Sequence, residues 1–171
     1  MRITAKPMKV ELSNPEFLNA INIGVLRHYS SIKKGLRDAH GAKTDNGWDM
    51  HIEGACGEAA VAKALNIYWS CTINTFKSGG DVGNTIQVRT RSKDYYELIV
   101  RKDDRDDDVF VLVTGKAPSF NVVGWILGKD AKKKEWIQTH GGREAAWFVP
   151  QKELLDISSI PDFTVKTNLN K

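Results

Sequence analysis

Cysteine is scarce: Cys56 and Cys71 are the only two among 171 residues. Their spacing makes neither a metal-binding knuckle nor a disulfide framework, which excludes a disulfide-stapled scaffold and suits a reducing compartment. Long apolar runs are missing too. No stretch approaches the roughly 18 residues of a membrane span, and the N-terminus lacks the apolar h-region of a signal peptide. The expectation is a soluble, cytoplasmic protein with no membrane partner. Neither an internal repeat nor a linker-like stretch interrupts the chain, so one domain over residues 1–171 is expected.

What is present suits a packed core. Apolar residues make up 41% of the sequence, enough for a single domain of this length. The net charge of +4 is a mild bias that fits a polyanionic partner without establishing one.

The most informative stretch is residues 78–90, SGGDVGNTIQVRT. Its second half alternates polar and apolar residues, the period of a half-buried strand. Gln87 and Arg89 therefore share one face, and Ile86 and Val88 the other. Asp81 depends on the turn. A three-residue loop, Gly83-Asn84-Thr85, pairs Val82 with Ile86 and sets Asp81 opposite Gln87. A two-residue Gly83-Asn84 loop pairs Asp81 with Ile86 and turns the carboxylate away. The first register gathers a carboxylate, an amide and a guanidinium, and is favoured.

Along the rest of the chain, Ser13-Asn14-Pro15-Glu16 predicts a helix start, with a polar cap, an early proline and an acid at the positive end of the dipole. The helix is expected to reach about His40, with Gly35 as a weak point. Phe17, Leu18, Ile21, Val25, Tyr29, Ile32 and Leu36 fall in a sector of about 120° and read as the core stripe. Arg27, Lys33, Lys34 and Arg37 fall opposite. That basic face is either a solvated surface or a set of phosphate contacts for DNA. A polar loop, residues 41–47, precedes a second helix over 51–66, whose Ala55, Ala59, Ala62 and Leu65 form a small-residue packing face. Glu58 falls beside them, where a glutamate needs a cation or a metal. Strands are expected over residues 67–73, 95–101, 109–114, 121–127 and 146–149. The 109–114 run, continuously apolar, suits a central strand covered on both sides. Residues 129–134 read as a basic loop, a short helix follows Pro150 to about 156, and a tail follows.

Other signals carry less. The acidic turn 103–108 lacks the glycine and terminal glutamate of a calcium loop and reads as a solvated hairpin tip. His51 and Glu53 resemble half of a zinc deaminase signature, but no Pro-Cys-x-x-Cys follows. Cys56 suits a buried small residue better than a nucleophile. His140 with Gly141 and Gly142 reads as a loop, and the five tryptophans as core or edge residues before base-stacking platforms.

Taken together, Asp81, Gln87 and Arg89 after a helix carrying GACGEAAVAKAL, with Glu58 in its Gly-Glu position, resemble the motif of the PD-(D/E)XK nuclease superfamily. The phrases HIEGACGE, GGDVG, QVRT, VVGWI and WFVP are similar to small phage-encoded members, and the resemblance covers about residues 54–149. Two positions depart from the usual pattern: Gln87 stands where an acid is customary and Arg89 where a lysine is. The resemblance implies an α/β (α+β) fold: a restriction-endonuclease-like core over 51–156, with a mixed central sheet flanked by helices. A long N-terminal helix, within a helical part over about 13–47, precedes it.

It also implies a nuclease that hydrolyses DNA phosphodiester bonds with magnesium or manganese. Asp81, Glu58, Gln87 and the Val88 carbonyl would hold the metal, since magnesium takes hard oxygen ligands. Arg89, always protonated, would stabilise charge on the phosphate rather than act as a base. The alternative is a catalytically inactive protein that keeps the nuclease fold and binds DNA or a phage or host partner. For the motif alone, the plain alternative is an Asp81–Arg89 salt bridge on an ordinary hairpin.

Overall fold

Ser13 opens the first helix by a reciprocal cap, its hydroxyl accepting from Glu16 N–H and its own N–H donating to the Glu16 carboxylate. The computed structural model describes residues 4–35, 47–73 and 79–161. The expected helix end at 36–40, Leu36 and Arg37, the loop 41–46 and the tail from 162 lie outside the described residues. Within them, β1 (Met8–Glu11) leads into α1 (Asn14–Lys33). Lys34 caps α1 and Gly35 follows at φ +62, so the helix closes at the weak point its glycine supplied. The second helix, α2 (Gly47–Ala64), begins four residues earlier than expected and ends two earlier.

The strands are β2 (Ile86–Arg91), β3 (Leu98–Val100), β4 (Val109–Lys116), β5 (Ser119–Leu127), β6 (Ile137–Gln138) and β7 (Ala146–Val149). They form an α+β domain with two sheets, not one. A four-stranded mixed sheet has the order β1-β5-β4-β2, with β2 parallel to β4 and the other pairs antiparallel. A three-stranded antiparallel sheet has the order β3-β7-β6. Alternation along β4 divides the core. Val109, Val111 and Val113 face α2 together with Ile86 and Val88, whereas Phe110 and Leu112 face Leu98, Val100 and Val149 of the smaller sheet. This strand is buried on both sides, as its apolar run requires.

Three expectations change. Residues 67–73 form no strand: Cys71 takes a left-handed φ of +53, and the segment's polar groups bond to side chains. The basic loop 129–134 begins as a one-turn helix, α3 (Gly128–Ala131), and only 3-10 turns follow Pro150.

The larger correction concerns α1. Its buried row is Ala20, Ile23 and Gly24, beside the apolar stripe rather than within it: Phe17 at the stripe's edge still packs on the core, while Leu18, Tyr29 and Ile32 are 60%, 58% and 56% exposed. Close approach explains the choice. A Cβ on Gly24 would lie 2.5 Å from the Ile52 Cα, so the two backbones touch where only glycine fits. No helix among the described residues is long and apolar enough to cross a membrane.

Candidate metal centre and adjoining cleft

The motif turn adopts the three-residue register. Val82 bridges Ile86, Gly83 supplies φ +61, and Asp81 stands opposite Gln87. Gly80 lies so near β2 that a Cβ there would meet Ile86 N at 2.6 Å. The Val82 N–H donates to Ile86 O, so the Ile86 backbone faces the outer edge of β2. Backbone direction alternates along a strand, which points Val88 N–H and C=O to that same edge. Asp81 Oδ2 accepts the Val88 N–H at 2.8 Å. No hydrogen-bond donor among the described residues meets its other oxygen. Burial raises the Asp81 carboxyl above its ordinary value, while the Val88 N–H, Arg89 and Arg27 oppose that rise.

Glu58 lies one layer away on α2, in the Coulomb field of Asp81. It is buried, and Arg27 holds it with Nη1 donating to Oε1 at 2.6 Å and Nη2 to Oε2 at 2.8 Å. The Trp69 indole N–H donates to Oε2 at 3.1 Å, and Arg27 Nε donates to the Thr72 carbonyl. Burial pushes the Glu58 carboxyl up to about 7; Arg27 pulls it down, and the charge of Asp81 pushes it up again. Arg27 is therefore not part of an open basic face with Lys33 and Lys34. Its position after Ala20, Ile23 and Gly24 on one side of α1 turns it inward.

Gln87 and Arg89 share a face, as the alternation requires, but both reach the acidic turn. Gln87 Nε2 donates to Asp108 Oδ2 at 3.1 Å. Arg89 Nη2 donates to both Asp104 oxygens, at 2.8 and 2.9 Å, and its guanidinium lies over the Phe110 ring. Lys132 meanwhile pairs with Asp106. The turn 103–108 is a solvated tip only in part: Asp103, Arg105, Asp106 and Asp107 are exposed, but three of its acids hold polar groups of neighbouring elements and Asp108 is buried. Asp104, Asp108 and Trp69 are partners the sequence reading missed. An excess of acids one strand away from Gln87 and Arg89 was the available signal. The direct Asp81–Arg89 salt bridge does not form, since Arg89 is held by Asp104.

Glu58, Val88 and Arg89 line one cleft of about 590 Å³ at the free edge of β2. Asp81 and Gln87 are not among its lining residues. The open Asp81 oxygen, the edge carbonyl of Val88 and the Glu58 carboxylate are donors of the kind a hard divalent cation takes, while Arg27 holds Glu58 and Asp108 holds Gln87. Among the described residues, no three or more His, Cys, Asp or Glu side chains gather as a ready metal cluster. Lys33 and Lys34 are exposed at the end of α1, and Arg37 lies outside the described residues. No family model matches the chain, and no curated protein or solved structure matches it.

Proposed function

We propose that this chain is a divalent-metal-dependent nuclease that hydrolyses DNA phosphodiester bonds, as a member of the PD-(D/E)XK superfamily. The observation that carries the reading is the meeting at one sheet edge of Asp81, the outward Val88 backbone and a buried helical glutamate, Glu58. Asp81, Glu58, Gln87 and the Val88 carbonyl would hold a magnesium or manganese ion, which when bound would supply positive charge at the scissile phosphate and a more acidic water. The protein's own groups do the rest. Asp81 keeps one oxygen on the Val88 N–H, which fixes its second oxygen for binding. Arg89 remains protonated, so it serves as a charge-stabilising clasp on the phosphate, its fork already oriented by Asp104.

Arg27's two-point hold on Glu58 and Asp104's hold on Arg89 favour a second reading, a nuclease-fold protein that binds DNA or another partner without cutting it. Incubation of purified protein with supercoiled, linear and single-stranded DNA, with and without magnesium or manganese, separates the two. The nuclease reading expects metal-dependent cleavage that Asp81→Ala abolishes while folding and DNA affinity persist. Gln87→Glu with Arg89→Lys then reports on Arg89: higher cleavage marks a weakened site, lower cleavage marks arginine as the working clasp. Cleavage at full rate in Asp81→Ala would remove this hairpin as the active centre. Absence of any metal-dependent cleavage by the natural protein would leave the binding reading.

A further inference from the structure

The cleft beside Glu58 does not stop at the end of β2. Arg91, Tyr96, Ile99 and Arg101 line it and also line a second hollow of about 530 Å³ over the outer face of the smaller sheet. The two hollows adjoin across these four residues, and their chemistry differs from one to the other. At the junction, Arg91 and Arg101 stand close enough to repel each other. Arg91 Nη1 donates to the Glu97 carbonyl and its guanidinium lies 4.5 Å from the Tyr96 ring centroid, while the Glu97 charge attracts it and that of Arg101 repels it. Two neighbouring guanidiniums on the wall of a cleft offer an anion several N–H donors at once. Farther along, Arg143 adds a third guanidinium, against the two acids Glu97 and Glu144.

Aromatic rings frame this second hollow in two pairs. Tyr95 and Tyr96 meet at 5.1 Å between centroids, and His140 and Phe148 at 4.8 Å, both edge to face. Tyr95 is 71% exposed, so its ring is within reach of a ligand in the hollow. Arginines that attract phosphate and ring faces open to solvent together match an unpaired polynucleotide. A paired duplex offers phosphates to the arginines but keeps its base faces stacked away from the rings.

We infer that these adjoining hollows bind single-stranded nucleic acid, with phosphates at Arg91, Arg101 and Arg143 and bases stacking on the rings of Tyr95, Tyr96, His140 and Phe148. The strand runs on toward Val88 and Glu58, so the inference gives the nuclease reading its substrate form and rests on that reading only for what happens at the far end. Binding itself needs neither metal nor cleavage.

The test measures fluorescence anisotropy of labelled 12-nucleotide DNA and RNA single strands, and of the matching DNA duplex, in EDTA across a salt series. The natural protein is expected to bind a single strand of either kind at least tenfold more tightly than the duplex. Arg91→Ala with Arg101→Ala should weaken that binding at least tenfold and flatten its salt dependence by about 1.4 in log–log slope, two phosphates' worth for a single strand. Because Arg91 is half-buried, two exposed changes guard against misfolding: Arg143→Glu and Tyr95→Ala should each cost several-fold in affinity with unchanged thermal unfolding. Equal or tighter duplex binding would overturn the inference, as would affinities untouched by Arg143→Glu and Tyr95→Ala. Single-strand binding without any metal-dependent cleavage would support the inference and remove the nuclease reading. Cleavage that persists while these variants bind normally would do the reverse.

Discussion

Arg27 and Glu58, 31 residues apart in the chain, meet through two parallel bonds of 2.6 and 2.8 Å with only 12% and 8% of their side chains exposed. This pair ties α1 to α2 and fixes the rotation of α1 about its own axis. Arg27→Met leaves a buried carboxylate without its cation and is expected to cost about 3–5 kcal/mol. Lys33→Ala and Lys34→Ala, on the exposed end of the same helix, should each stay within about 0.5 kcal/mol. Urea unfolding of the three variants checks both statements, and a loss below about 1 kcal/mol for Arg27→Met would contradict the pair's structural role.

Glu58 also gives stability a pH dependence. Its carboxyl ionises near 4.5 in the unfolded chain and near 7 in the folded one, so the folded state holds the proton more firmly. Its contribution is full below pH 4.5 and is lost as pH rises through 7, a difference of roughly 1–3 kcal/mol. In EDTA, Glu58→Gln should show a flatter stability profile than the natural protein between pH 4.5 and 7. Asp81 and Asp108, also raised by burial, act in the same direction, whereas Glu16 and Asp156, lowered by hydrogen bonds, act in the opposite one. Parallel profiles for Glu58→Gln and the natural protein would show that Glu58 keeps its ordinary affinity for protons on folding.

Gly24 is the contact point of the two helices. Gly24→Ala puts a methyl group 2.5 Å from the Ile52 Cα and must push the helices apart. The expected cost is about 1–3 kcal/mol, despite the gain in helix propensity that alanine brings. Gly54→Ala, whose Cβ would meet nothing within 4 Å, is the matched control and should be neutral or stabilising. Thermal unfolding of the two variants decides, with equal melting temperatures counting against the close approach.

The outward stripe of α1 makes the converse prediction. Leu18→Gln and Ile32→Gln should each change stability by no more than about 0.5 kcal/mol, because both side chains already lie mostly in water. Ile23→Ala, at a buried position in the core, should cost about 2–4 kcal/mol. If the glutamine variants prove the more damaging, α1 packs through its stripe and the rotation described above is wrong.

Much of this was legible in the residues themselves. Alternation over 85–90, a turn of Gly83-Asn84-Thr85 and an uninterrupted apolar 109–114 define local structure, because each depends on backbone preferences and a period of two. The register that sets Asp81 opposite Gln87 followed from that turn. Side-chain partners followed no such rule. The helical period grouped Leu18, Tyr29 and Ile32 on one face and Arg27 on the other, but it could not say which face the fold buries. Tertiary contact decided that: Gly24 permits the closest approach, and Glu58 supplies the counter-charge that makes an inward Arg27 tolerable. The fates of Gln87 and Arg89 were settled the same way, by Asp108 and Asp104 arriving from a turn that a parallel β2–β4 pairing brings alongside. Periodicity records what each residue prefers locally, whereas partners at long sequence separation exist only once the layers have packed.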